Sequence, residues 1–223
     1  MPKTLVITGA SSGIGAATAK AAAEQGWNVA LLARSQDKIE QLAGEIGSVA
    51  LAIPCDVTML DDLKDALAKA DSEFGQIDAV FANAGTGVGA PGVENGDPQE
   101  WHDMIHVNIL AVLYAAKLAI PYLKKTKGQF VVTGSKAGRD TFKGSVYSAT
   151  KHFVHGFGEN LAEEMREWGG RATVIAPGMV NTAFFDEPKP DKIQPQDVAN
   201  AVVFALSQPK TAAVREIYIM PND

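Results

Sequence analysis

Residues 4–25 read TLVITGASSGIGAATAKAAAEQ: an apolar, β-branched run, a glycine turn, and an alanine-rich stretch of helical period that Gly26 stops. The turn itself is Thr8-Gly9-Ala10-Ser11-Ser12-Gly13-Ile14-Gly15. Glycines belong there because a side chain would hold the backbone away from a pyrophosphate, while the N–H groups and dipole of the helix that follows favour negative charge. An ordinary tight turn between a strand and a helix shares the glycines. The strand before and the helix after give this one a dinucleotide-binding context. Gly9, Ser11, Ser12, Gly13, Ile14 and Gly15 are therefore candidate cofactor contacts, in the spacing G-x-x-x-G-x-G rather than G-x-G-x-x-G.

Outward from this unit the same rhythm repeats. Apolar runs at 27–33, 49–53, 77–82, 129–133, 171–176 and 215–220 alternate with helical stretches at 35–46, 99–125, 145–168 and 195–207. A further helix is expected after residue 58, capped by Thr58 with Asp61 and Asp62 in its first turn. With residues 3–8 this makes seven strands separated by helices, the signature of an α/β fold with a parallel sheet. We expect one Rossmann-like, doubly wound domain over residues 1–223 with strand order 3-2-1-4-5-6-7. Ligands in such sheets bind beyond the carboxyl ends of the strands. The long Gly/Pro-rich loop at 85–98 marks that end as a site.

The second strand ends Leu32-Ala33-Arg34, where units that take NAD usually carry a carboxylate for the ribose 2′-hydroxyl. An arginine pairs bidentately with a 2′-phosphate, so Arg34 predicts NADP(H) over NAD(H). The chain has 223 residues, 46% of them hydrophobic, and a formal charge of −6. That charge, with no long run of either sign, argues against nucleic acid or an anionic membrane as partner. Cys55 is the single cysteine; it fits a reducing, cytoplasmic compartment, and no Cys/His cluster has metal spacing. Met-Pro-Lys-Thr leads into an apolar run that stops at Gly9, which predicts neither a signal peptide nor a membrane span.

From the glycine turn onward the chain resembles the short-chain dehydrogenase/reductase family along essentially its whole length. The family's T-G-x-x-x-G-x-G stands as Thr8 to Gly15, its Asn-Ala-Gly beside the adenosine as Asn83-Ala84-Gly85, and its acidic residue after strand three, which meets the adenine, as Asp56, followed by Val57, which implies cofactor contacts at Asp56, Val57, Asn83, Ala84 and Gly85. The catalytic set maps onto Asn108, Ser135, Tyr147 and Lys151, the last two in Tyr147-Ser148-Ala149-Thr150-Lys151. Pro177-Gly178-Met179-Val180-Asn181-Thr182 resembles the turn that meets the nicotinamide, which implies cofactor contacts at Pro177, Gly178, Val180 and Thr182. The resemblance implies an oxidoreductase acting on a small carbonyl or alcohol, usually a homodimer or homotetramer. An alternative on the same fold is a non-catalytic nucleotide sensor, whose usual mark, a lost tyrosine or lysine, is missing here.

The residues make physical sense together. Tyr147 and Lys151 lie four apart and share a helix face. A nearby ammonium and a positive nicotinamide ring are expected to lower the phenol from its ordinary value near 10. Tyr147 then serves as general acid or base, and Ser135 stabilises charge on the substrate oxygen. Tyr147 and Lys151 are also expected to contact the cofactor, Lys151 by holding the ribose hydroxyls, and the backbone at Asn108 to anchor a water that relays protons to Lys151. Ser148 to Lys151 is also an S-x-x-K string, but the companion strings of a serine acyl-enzyme are absent. His102, His106, His152 and His155 read as surface or packing residues. The stripe Phe153, Phe157, Leu161, Met165 is core or subunit interface. Phe184 and Phe185 are the main apolar groups of a short lid over an open pocket. Lys136, Arg139 and Lys143, partly offset by Asp140, read either as solvated loop charges or as an entrance that attracts acidic substrates.

Overall fold

The computed structural model describes residues 2–87, 92–185 and 187–222. Its seven strands are β1 (Thr4–Thr8), β2 (Asn28–Ala33), β3 (Ala50–Pro54), β4 (Ala79–Ala82), β5 (Gln129–Thr133), β6 (Arg171–Pro177) and β7 (Glu216–Ile219). All pair in parallel in the order β3-β2-β1-β4-β5-β6-β7, as expected. The helices are α1 (Gly13–Glu24), α2 (Gln36–Ile46), α3 (Leu60–Phe74), α4 (Pro98–Ile105), α5 (Ala111–Thr126), α6 (Val146–Arg166) and α7 (Pro195–Ser207).

Side chains alternate across a strand, and here both sets are apolar. Leu5, Ile7, Val29, Leu31, Ala79, Phe81, Val131 and Ile175 join α1, α2 and α7 in one core. Val6, Ala30, Leu32, Val80, Phe130, Val132 and Val174 join α3, α5 and α6 in the other. Two covered faces explain why the strands read as unbroken apolar runs.

Two local expectations fail for identifiable reasons. Thr58 does not cap α3: its N–H and hydroxyl donate to Asp56 Oδ1 at 2.9 and 2.7 Å, and the cap position falls to Met59. The long helix at 99–125 is two helices joined by a π turn at His106–Leu110. Such turns interrupt the α ladder and concentrate at functional sites; this one carries Asn108. The combined run Pro98–Thr126 is long and apolar enough to cross a membrane. Its Ala111, Val112, Ala115, Ala116, Ala119 and Leu123, however, are buried against the sheet.

Candidate active site

The carboxyl ends of β1, β4 and β5 are tied together by one side chain. Asn83 donates from Nδ2 to the carbonyls of Thr8 (3.1 Å) and Gly9 (3.4 Å), and its Oδ1 accepts from Thr133 Oγ1 (3.1 Å). Thr8 Oγ1 in turn accepts the N–H groups of Asn83 and Ala84 at 3.0 and 3.1 Å. This close approach explains Gly9, which has φ +65° and whose added Cβ would lie 2.9 Å from Ala84 Cα. A Cβ on Gly15 would run into the Gly9 carbonyl oxygen.

The turn fits a dinucleotide. Ser12 stands at the N-cap of α1 without a side-chain cap bond, and the first turn of α1 holds no acidic residue. The helix end is thus left for an anionic ligand. Ile14 lines the adjoining cleft, and Ser11 lies half-buried in the turn. Gly13 sits against Thr182 Cγ2, so the turn after β6 meets the glycine turn directly. Arg34 is exposed at the end of β2. Burial pushes the Asp56 carboxyl up, but hydrogen bonds from Thr58 and the charge of Arg34 outweigh it and hold the group below the usual range. Asp56 and Val57, both half-buried, follow β3 on this side.

A cleft of about 880 Å³ opens beside these strand ends, lined by Asn83, Gly85, Ser135, Tyr147, Lys151, Pro177, Gly178, Val180 and Thr182 among others. Half of the expected site residues therefore meet in one place, Ser135, Tyr147 and Lys151 among them. Ser145 caps α6 by accepting from Ser148 N–H at 3.1 Å, and the helix carries Tyr147 and Lys151 one turn apart along the cleft. Lys151 is 5% exposed and donates from Nζ to the Thr133 carbonyl at 2.8 Å. Burial pulls its ammonium down from 10.5 to about 8. Ser135 Oγ accepts from Ala137 N–H at 3.0 Å.

The expected lowering of Tyr147 by Lys151 is not seen. Burial raises the phenol above 10, and a hydrogen bond with Ser135 opposes the rise. Lys151 Nζ lies 5.8 Å from the ring centroid and directs one of its three N–H donors to the Thr133 carbonyl. Tyr147 is thus held protonated at neutral pH.

Asn108 stands behind the cleft wall. Its Oδ1 accepts from Thr86 N–H, its Nδ2 donates to the Thr86 carbonyl, both at 2.9 Å, and Nδ2 also reaches Thr150 Oγ1 at 3.1 Å. It clamps the start of the loop after β4; residues 88–91 of that loop, expected to shape the pocket, lie outside the described residues. Ser148 is buried and donates to the carbonyls of Ala137 and Asp140, so the S-x-x-K string offers no nucleophile.

The entrance is less basic than expected. Arg139 turns away to pair with Glu216 and stack over Tyr218, and Lys136 pairs with Asp140 at 3.3 Å. Phe184 narrows the expected open pocket: its ring lies 5.6 Å from that of Tyr147 and edge-on to Phe185 at 5.3 Å. Asn181 anchors this lid by donating to Gln194 Oε1 and accepting from Lys189 N–H. In the α6 stripe, Leu161 and Met165 are core, while Phe153 and Phe157 stack half-exposed with centroids 5.9 Å apart. Among the described residues no group of three or more His, Cys, Asp or Glu side chains could hold a metal.

Thr133, Thr86, Thr150 and Asn181, at the end of β5, after β4, within α6 and after β6, escaped sequence reasoning because an isolated hydroxyl or amide has no spacing signature. The position of Thr133 at the end of β5 was the available signal.

Residues 3–192 match the family model described as short chain dehydrogenase. An uncharacterised oxidoreductase of Staphylococcus aureus (strain MRSA252) is 37% identical over 225 residues, covering 98% of this chain and 97% of that protein. The alcohol dehydrogenase of the archaeon Thermococcus sibiricus, solved with 5-hydroxy-NADP, superposes with a TM-score of 0.92 at 32% identity, covering 100% of this chain and 97% of the other. A 3-ketoacyl-(acyl-carrier-protein) reductase from Brucella melitensis, solved with NADH, gives a TM-score of 0.91 at 28% identity, covering 99% and 97%.

Proposed function

The chain belongs to the short-chain dehydrogenase family, and on that premise we propose that it is an NADP(H)-dependent oxidoreductase interconverting a carbonyl compound and its alcohol, with Tyr147 as general acid and base. The observation that carries this reading is the convergence of Tyr147, Ser135 and Lys151 on one cleft beside the glycine turn.

When bound, the nicotinamide cofactor supplies or accepts the hydride. The glycine turn and the N-terminus of α1 would hold its pyrophosphate, Asp56 and Val57 the adenine side, Arg34 the 2′-phosphate, and the Pro177–Thr182 turn the nicotinamide end. Ser135 Oγ already accepts from Ala137 N–H, which leaves its O–H to donate to the substrate oxygen. Tyr147, protonated because burial raises it, gives that oxygen its proton in reduction and takes it back in oxidation. Lys151 would hold the ribose hydroxyls. The backbone at Asn108, where the π turn breaks the ladder, offers the place for a water that passes protons to Lys151. Phe142, Val146, Met179, Phe184, Phe185 and Met220 give the cleft an apolar lining, which supports a carbonyl on an apolar body. We also read the half-exposed Phe153–Phe157 pair as part of a homodimer or homotetramer contact in a cytoplasmic enzyme, checked by native mass.

The test is NADPH consumption with a panel of aldehydes and ketones that includes a keto acid and its methyl ester. Because Lys136 is paired with Asp140, Lys136→Ala should leave the acid-to-ester ratio unchanged. A ratio that falls on substitution would restore the basic entrance. No consumption with any carbonyl would count against the enzyme.

Lys151 also gives a stability signature without substrate. Its native value near 8 lies below its ordinary 10.5, so between these limits the folded chain binds fewer protons than the unfolded chain, and stability rises with pH. Cys55, pushed up to about 12 by burial and by Asp62 and Asp56, acts in the opposite sense from pH 9 upward. The informative quantity is therefore the difference from Lys151→Met, in which the thiol contribution cancels. Denaturant melts should show wild type gaining about 2 kcal/mol on the variant from about pH 8 to 10; a constant difference would place the ammonium in water.

A further inference from the structure

The turn that carries Ser135 is built around an imidazole. Residues 134–138 read Gly-Ser-Lys-Ala-Gly, and a Cβ added at Gly134 would lie 2.6 Å from His155 Nε2, one at Gly138 2.5 Å from His155 Cδ2. Val174 Cγ1 and the Lys151 carbonyl, at 2.7 Å, close the same two positions from other sides. His155 lies on α6 one turn beyond Lys151, with its ring between the two glycines.

Its nitrogens have distinct partners. Nε2 is 3.2 Å from the Ser135 N–H donor and 3.1 Å from the Ser135 carbonyl, while Nδ1 is 3.3 Å from Glu216 Oε1. Glu216, on β7, is held by Arg139, whose Nε donates to Oε1 at 2.8 Å and whose guanidinium also binds Oε2. A carboxylate on Nδ1 requires Nδ1–H, and a neutral imidazole then offers Nε2 as an acceptor. That selects the Ser135 N–H over its carbonyl.

We propose that His155 is a positioning residue: Glu216 fixes its Nδ1–H tautomer, its Nε2 accepts the Ser135 N–H, and this bond sets where the Ser135 hydroxyl stands against Tyr147. The proposal rests on the reading of Ser135 and Tyr147 as the groups that meet the substrate. Protonating Nε2 would turn it from acceptor to donor and release the Ser135 N–H. Burial opposes the charged ring most strongly, joined by Arg139 at the end of the turn and Lys151 on α6, whereas Glu216 from β7 and a bond from the charged ring to the Ser135 backbone favour it, and the outcome lies below 6.5. The neutral form therefore dominates at pH 7, and kcat should fall on the acid side.

The test combines imidazole and amide nitrogen NMR with kinetics on NADPH and 4-nitrobenzaldehyde. The spectra should show the Nδ1–H tautomer in wild type, lost in Glu216→Gln, with the Ser135 amide shift following the His155 titration. His155→Phe, which keeps a ring but no acceptor, should lower kcat about tenfold with little change in KM. His155→Gln places a carbonyl oxygen near Nε2 and should recover most of the loss without the acid limb. An Nε2–H tautomer in wild type, or wild-type kcat in a folded His155→Phe, would overturn the proposal. If wild type turns over no carbonyl, the functional reading fails, and the NMR still decides: a Ser135 amide indifferent to His155 titration rejects the link, and one that follows it supports the link. The same reading decides the matter if His155→Phe does not fold.

Discussion

Tyr147→Phe will lower kcat for NADPH-dependent carbonyl reduction by about 10²–10⁴-fold, the range that a positioned general acid contributes. It will leave the thermal shift produced by NADPH nearly unchanged. The substitution removes one hydroxyl from a ring that keeps its packing against Phe184, 5.6 Å away. Lys151 keeps its bond to the Thr133 carbonyl, and the glycine turn belongs to a different part of the chain, between β1 and α1. The loss should therefore appear in kcat with cofactor binding preserved. Retention of most activity would remove Tyr147 from the proton-transfer role. Burial holds the phenol above 10, so reduction should be flat through neutral pH, and oxidation should rise as the medium becomes alkaline.

Arg34→Ala will weaken NADPH by about 10–100-fold, the loss of one charge-assisted contact to a phosphate. NADH should change little. Arg34 is exposed and acts on Asp56 through space, so it is placed to serve a ligand without being part of the core, and its removal should not lower Tm in the absence of ligand. Titrations of both cofactors against wild type and variant check this. Equal weakening of the two would assign Arg34 a general electrostatic role instead of recognition of the 2′-phosphate.

The sheet was legible in the sequence because strands covered on both faces must be apolar throughout, and each run ended at Gly, Pro or a polar turn. Its order followed from the first glycine turn and the hand of the crossovers. The motif residues were legible because their spacing is local: one helical turn separates Tyr147 from Lys151, and five residues separate Gly9 from Gly15. Contacts between distant segments were not. Asn108 reads as a polar residue inside a long helix, and only the fold shows that it sits in a π turn and clamps Thr86. His155 reads as one of four scattered histidines, yet the sheet brings Glu216 to one of its nitrogens and Ser135 to the other. Lys136, Arg139 and Lys143 read as a basic loop that nearby Asp140 offsets only in part, because Glu216, the partner of Arg139, lies far along the chain.

The most direct test of the dinucleotide reading is thermal unfolding of the wild-type chain without ligand, with NADPH and with NADH. A ligand at about a hundred times its dissociation constant stabilises by about 2.7 kcal/mol, which for a domain of this size raises Tm by about 5–10 °C. The account predicts that rise with NADPH and a much smaller one with NADH at the same concentration. A larger rise with NADH would contradict the role given to Arg34, and no rise with either would contradict the dinucleotide site itself.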